Sequence, residues 1–595
     1  MSHISTNRRG LSALAAACLL SVSLPAAPAL AQKVKNKDQA PAALETTFDV
    51  SIPTVDSVGS NIDNATLAEI LSGDIAAHAS ALAALDANSI TVPEITLTVV
   101  SKSASESYES TITFNDLALT NVVDGVAQSV SLGGIDMTSN EGDFNFGTMS
   151  AADMNIGGML GFYGLVPASG STEMETIYRN FKAEGGSFTA EDVSCTFGTT
   201  AGAEFKARPL KTSMVELMGL AQQLEDEPED LDPVLLGKIV HMYADMFTAF
   251  ETSEVTFDGL SCDGVDDEGR PLVVSIDGMT MGAMKPGIYP SISMDGFKID
   301  VEGDGSMSLD NFTFKPMDLS GPIALIQSAP EELTEAWFEA NARALIPAME
   351  GLLFSGFAMD IPDPDNASMR LKAQVDAFDL TLANYVMGIP SDIDMSGSGI
   401  QATLPEGSGD ETIEQMRALG ITDINSAFRL ALAWNEAANA IDIEEISVSG
   451  VDLASVFLSG TINNATKELF SGDETETMMA AMTMAVKKLD LTVIDAGLSD
   501  IILSVVAAEQ GADPETLRPV FAGLAQGTVV GMMAGAADAA KLGEAINSFV
   551  SGKAKTLEIG LEAKTDPGLG MMDFMEAEED PTTLLGKVNI SAAAK

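Results

Sequence analysis

The side chains that ordinarily do chemistry are few in this chain and poorly grouped. Of three histidines in 595 residues, His78 and His241 fall in separate helix-like stretches, and His3 stands at the amino terminus. No spacing occurs that would build a nucleophile elbow, an HExxH zinc helix, a phosphate-binding loop or a dinucleotide-binding turn. Acid pairs are so abundant that they are not diagnostic. Asp300, Glu302, Asp304, Gly305 and Ser306 sit at the offsets of a calcium loop. Asn311 stands where the closing bidentate glutamate belongs, and alternating text flanks the run, so it reads as a hairpin turn. Asp263, Asp266, Asp267 and Glu268 read as a solvated polar loop, and so do Asp360, Asp363 and Asp365. The sequence therefore assigns no catalytic residue, no metal ligand and no cofactor.

Three other groups of residues invite a chemical reading. Cys195 and Cys262 occur in similar contexts, EDVSC and DGLSC. An even pair in an exported chain reads as a disulfide, with two buried free thiols as the alternative. Gly523, Gly527, Gly531 and Gly535 recur at four-residue steps, and no charge lies between Arg518 and Asp538. On a helix they form a smooth stripe. It is either a membrane-inserting zipper or, as Gln526 and Thr528 favour, a helix packed closely on the sheet or on its neighbour. The 31 methionines, with runs such as Met478-Met479 and Met571-Met572, suit either an adaptable apolar surface or an ordinary core.

Charge narrows the partners. Against 31 basic residues stand 87 acidic ones, a net charge of −56. Nucleic acid is excluded, because phosphate binding needs clustered Lys and Arg, and so is adsorption to anionic headgroups. The amino terminus reads as an export signal. Arg8 and Arg9 precede an apolar run from Leu11 to Leu24, and Ala29-Leu30-Ala31 fits a small-x-small cleavage site. The style is bacterial, by the general secretory route rather than the twin-arginine one. The expected location is the periplasm or outer envelope. Cys18 stands one place too far from its leucine for a lipidation motif.

The elements that would position any site come from a repeated phrase. VTFDGL (255–260), VSIDGM (274–279), ISMDGF (292–297) and MSLDNF (307–312) share one pattern, and ITFNDL (112–117) and ISVSGV (446–451) fit it. Apolar residues stand at positions 1, 3 and 6. In a regular strand the sixth would fall on the wrong face, and a one-residue bulge at Asp-Gly restores it. A tight hairpin turn at Asp-Gly is the competing reading, but its arms would be short. The bulged reading aligns Val255, Phe257 and Leu260; Val274, Ile276, Met279 and Met281; Ile292, Met294 and Phe297; and Met307, Leu309 and Phe312 along one apolar groove.

The expected fold is α+β: a long, curved, mostly antiparallel β-sheet of repeated bulged strands, with helical inserts and a C-terminal helical hairpin that returns to strands. Residues 1–31 form the signal, 32–47 a tether, and 48–327 a repetitive β-rich region with helical inserts. A helix plus a second β-rich region spans 328–465, and the helical hairpin with its closing strands spans 466–595. Within this frame a helical patch runs from Asn64 to about Leu85, two helices occupy 209–252, and Ser328-Ala-Pro-Glu331 reads as a capping box. Gly511 ends one helix, and Asp513-Pro514-Glu515 starts another.

The export signal, the bulged strands at 15–19-residue intervals and the scarcity of catalytic groups together resemble the AsmA-like and YdgA-like envelope proteins. The resemblance covers about residues 90–460 and rests on pattern. It implies long sheets with an apolar groove and roles in lipid handling or envelope maintenance. No site residue transfers by motif. The expected function is an exported, non-enzymatic protein that binds a lipid or another apolar partner on the sheet, with peripheral association with envelope membranes. The alternative is a structural or adhesive acidic surface protein responsive to calcium.

Overall fold

A computed structural model describes residues 45–102, 107–140, 142–165, 173–212, 232–364, 366, 369–533, 538–580 and 582–595. The signal over 1–31, the lysines of the tether, Gly535 and the first helix expected between 209 and 252 lie outside the described residues. The chain divides into two compact units: Met1–Gly157 with Tyr178–Glu204 and Thr256–Asp258, and Gly158–Ile177 with Phe205–Val255 and Gly259–Lys595.

The first unit is an antiparallel sheet covered on one side. Its longest pair joins Ala87–Lys102 to Ser107–Val123, and Glu45–Ser51 pairs along the first of these. Residues 45–47, assigned to the tether, are therefore strand, because the alternation of Glu45-Thr-Thr-Phe48 already has a partner edge. The helical patch after Asp63 is two helices, Asn64–Leu71 and Ile75–Leu82, parted at Gly73. Asp63 caps the first by accepting the N–H groups of Ala65 and Thr66 at 3.0 Å. Leu67 and Ile70 drop from it onto Ile90, Val92, Val122 and Ala127, all of them buried. A second knot is aromatic: Phe144 stacks on Phe197 at 5.3 Å and meets Phe146 edge-on at 4.3 Å.

The second unit carries an unbroken antiparallel meander. From Leu260–Val265 it proceeds through Pro271–Ile276, Ile292–Val301, Gly305–Phe314, Gly351–Pro362, Arg370–Val386 and Ile389–Thr403. It continues through Asp423–Asn435, Ala440–Gly450, Ala454–Asn463, Ala485–Asp495 and Thr556–Ala563 to Val588–Ala594. This is the large curved sheet the alternation implied. The C-terminal helices also stand where their signals put them. Leu498–Gln510 ends at Gly511, which is left-handed at φ +63°, and Asp513 caps Pro514–Met532. The helix Ala539–Val550 then packs Ala539 and Leu542 against Ile559, Ile590 and Ala592 of the closing strands.

The capping box at Ser328 is a correction. Ser328 ends the helix Ser320–Gln327, donating from Oγ to the Leu325 carbonyl. The next helix, Glu335–Asn341, is capped by Thr334, whose Oγ1 accepts from the Trp337 N–H. Pro330 disfavours helical backbone at Ala329, so the helix starts one cap later.

Asp495 fixes the seam between strands and C-terminal helices. It is 7% exposed and accepts from Ser499 Oγ at 2.5 Å, from the Ser499 and Gly497 N–H groups at 3.1 and 3.2 Å, and from Lys555 Nζ at 3.1 Å. Burial alone would raise its pKa. These donors outweigh it and bring the value down to about 2. A carboxyl held below its unfolded value contributes stability that is complete above about pH 4 and is lost as pH falls toward 2, here about 2 kcal/mol. Between pH 5 and pH 2, Asp495→Asn is expected to lose about 2 kcal/mol less unfolding free energy than the parent protein, read by urea titration at each pH. Equal acid sensitivity of the two proteins would refute the assignment.

Candidate functional site: an uncovered apolar sheet face

The Asp-Gly phrases do kink strands, by a mechanism the sequence showed only in part. Gly296 in ISMDGF is left-handed at φ +65°. The ladder between Ile292–Val301 and Gly305–Phe314 pairs Asp295 with Asn311 and then Phe297 with Leu309, leaving Gly296 and Asp310 facing each other unpaired. One residue slips out of each strand, so the register is kept and the faces of both strands switch together. A one-against-two bulge was expected here. Register-shifting bulges appear further along, between Gly397 and Ile400, Ala431 and Leu432, Ile443 and Ile446, and Thr461 and Ile462.

The kinks line up across neighbouring strands. Gly296, Gly356 and Gly399 are all left-handed, at φ +65°, +65° and +57°. A Cβ on each would lie 2.0–2.1 Å from a carboxylate oxygen of Asp277, Asp310 and Asp376 respectively. Each glycine therefore supplies both the backbone angle and the space that a neighbouring aspartate occupies. The side-chain consequence is visible at Gly397, whose Cβ position points at Ile400 Cδ1, 3.1 Å away, three residues on. Residues three apart across the kink share a face, as the repeated phrase required.

Directly opposed residues share a face in an antiparallel ladder. One file across the meander runs Met279, Met294, Phe312, Phe354, Phe378. A parallel file runs Met281, Ile292, Phe314, Leu352, Leu380, Met395, Leu430. Beyond the kink, Phe297 opposes Leu309 and Ile299 opposes Met307, which opposes Met359. Phe354 stacks on Phe378 at 5.2 Å and 13°, and Phe378 approaches Phe428 at 6.5 Å. The alternate positions are polar. Lys315 donates to Asp379 and Thr381 at 2.6 Å, and Arg429 bridges Asp394 at 2.9 Å and Glu445 at 3.2 Å.

Among the described residues nothing seals the apolar side. No apolar side chain on the strands between Ile292 and Thr403 is fully buried, whereas Val92 and Val122 under the first unit's helices are at 0% and 2% exposure. The middle of the meander keeps a row of partly buried Phe, Leu, Ile and Met; the helix Ala539–Val550 packs on the closing strands.

The expected groove residues divide accordingly. Met279, Met281, Ile292, Met294, Phe297, Met307, Leu309 and Phe312 are brought together on this face. Val274 opposes Ile299, and Leu260 opposes Ile276, which is 9% exposed. Val255 and Phe257 occupy a three-residue strand that stops before Gly259, left-handed at φ +93°. ITFNDL kinks at a non-glycine residue, Asp116 at φ +49°. ISVSGV is the exception. It runs to the end of Ala440–Gly450 without a kink, and Val448 and Val451 are each 60% exposed. Missed by the phrase were Phe354-Ser-Gly356-Phe357 and Met395-Ser-Gly-Ser-Gly399-Ile400, where the same switch of apolar parity flanks a glycine.

The other candidates resolve differently. Cys195 and Cys262 are both disulfide-bonded. Gly523, Gly527 and Gly531 have no heavy atom within 4 Å of where a Cβ would stand, so this stripe packs against nothing among the described residues. It faces outward beside Val520 and Leu524, 62% and 64% exposed, because Ala522, Ala525 and Val529 take the helix's inner side. No helix among the described residues is long and apolar enough to cross a membrane. The calcium-loop lookalike is a hairpin turn, with Asp304 bound to Arg270 at 2.8 Å. A cavity of about 360 Å³ is lined by Lys211, Thr212, His241, Met242, Asp245 and Gln327. Its acid is committed: Asp245, 5% exposed, accepts from Arg208 at 2.7 Å and from the Lys211 N–H at 2.8 Å.

A family model described only as an uncharacterized protein matches residues 447–595. No curated protein and no solved structure matches the chain.

Proposed function

We propose that this is an exported, non-enzymatic envelope protein that binds acyl chains or a similarly apolar ligand on the uncovered face of its second unit's meander. The observation that carries the reading is the pair of apolar files from Met279 to Phe378 and from Met281 to Leu430, unsealed by any described element. Contiguous apolar surface that is only partly buried marks an interaction site, because the area left in water costs roughly 25 cal/mol per Å². Half-buried methionines at Met294, Met307 and Met359 suit chains of variable shape. A net charge of −56 favours neutral or zwitterionic ligands over anionic ones. The repeated, kinked strands keep the likeness to the AsmA-like and YdgA-like proteins as part of the proposal.

Lipid extracted from the purified mature protein and identified by mass spectrometry is expected to include acyl-chain species in stoichiometric amount. Protein that is repeatedly empty and takes up no fluorescent fatty acid would overturn the reading.

A further inference from the structure

The helical cap of the first unit brings together three side chains that the sequence left unassigned. Glu69 lies on the helix Asn64–Leu71, Asp74 precedes the helix Ile75–Leu82, and His78 lies on that second helix. One ligand atom of each stands within 4.8 Å of the others, and His78 Nε2 is 3.9 Å from Asp74 Oδ2. That separation is too long for a hydrogen bond. We infer that Glu69, Asp74 and His78 bind a first-row divalent cation of the zinc type, with water completing its shell.

The surroundings argue for a ligand set rather than a chance cluster. Asp63, Asp232, Asp410, Asp473 and Asp513 all cap helices by accepting backbone N–H groups. Asp74 occupies the same kind of position and, like Asp538, accepts no backbone N–H, so its carboxylate is not engaged in capping. Among the described residues neither Glu69 nor Asp74 has a Lys or Arg partner, and two carboxylates stand close together with only an imidazole beside them. The scaffold is firm where the side chains are not. Buried Ile70 and Ala79 anchor the two helices, and Gly73, left-handed at φ +125°, makes the bend that turns one toward the other.

The donor set selects the metal. Calcium and magnesium favour all-oxygen shells, and copper(I) favours sulfur; one imidazole nitrogen with two carboxylates suits zinc. Donors on a tetrahedral zinc ion lie roughly 3.4 Å apart for bonds of about 2.1 Å. Glu69 and Asp74 are exposed, so no packing holds their carboxylates at the present separations.

The test is calorimetric titration of the full chain with zinc chloride in the presence of excess calcium, which occupies the general acidic surface. One saturable site is expected, weakened roughly tenfold or more in His78→Ala and in Glu69→Gln, and unchanged in His241→Ala. Glu69 is exposed and His78 only partly buried, so the metal-free melting temperature should stay nearly the same and report that the variants fold. Binding that survives His78→Ala, or that calcium displaces, would overturn the assignment.

Discussion

Replacing Phe354 and Phe378 together with serine is expected to weaken fatty-acid binding about 100-fold while leaving the protein folded. The two rings stack at 5.2 Å in the centre of the uncovered face. Each is half-buried, so each keeps apolar area that a ligand would remove from water. Covering a phenylalanine fully is worth about 1.5–3 kcal/mol, and part of that is already realised against neighbours. Two rings then contribute about 3 kcal/mol to a bound chain, which is roughly two decades of affinity. Ser355 supplies the control: it lies between the same neighbours but alternates to the polar side, where it opposes Asn311 and Ala377. Ser355→Asn should bind as the parent does. Titration with a fluorescent fatty acid reads both variants. Parental affinity in the double serine variant, with cooperative unfolding intact, would show that the face is not the binding surface.

The sheet was legible because its signals are local. Alternation over Ile292–Val301 and Gly305–Phe314 needs only the period of a strand, and the parity switch at Asp-Gly needs only counting. The same holds for Leu498–Gln510, ended by Gly511, and for Pro514–Met532, opened by Asp513. What stayed hidden depends on neighbours distant in the chain. That Gly356 and Gly399 belong with Gly296 follows from Asp310 and Asp376 beside them, a relation between strands. Whether the glycine stripe packs inward depends on which helix face meets Ala539–Val550. Here Gly543 of that helix takes the close contact with Val530 and Gln526, while Gly523 and Gly527 face away. His78 looked isolated because Glu69 lies across the bend at Gly73, on the preceding helix, and only Asp74 shares its own helix end. Openness of the apolar face was unreadable for the same reason, since it depends on where helices settle and not on where they form.

Gly356→Ala is expected to destabilise the second unit by roughly 3 kcal/mol, and removal of one neighbouring carboxylate should return much of that loss. Two costs add at this position. A non-glycine residue held at φ +65° is strained by about 1–2 kcal/mol. Its Cβ would also stand 2.1 Å from Asp310 Oδ2, so the aspartate must be expelled from its place beside the strand. Gly303→Ala isolates the first cost. It is left-handed at φ +75°, in the turn between Ile292–Val301 and Gly305–Phe314, with no atom within 4 Å. It should lose only the strain of about 1–2 kcal/mol. Asp310→Ala in the Gly356→Ala background isolates the second, since the clash goes and the strain remains. The two substitutions should therefore cost less together than the sum of their separate effects, a coupling of at least about 1 kcal/mol measured by urea denaturation. The companion pair, Gly399 and Asp376, should couple in the same sense, because their geometry is the same to 0.1 Å. If Gly356→Ala proves as mild as Gly303→Ala and shows no coupling to Asp310, the kinks are incidental. The apolar files would then owe their alignment to something other than the paired Asp and Gly.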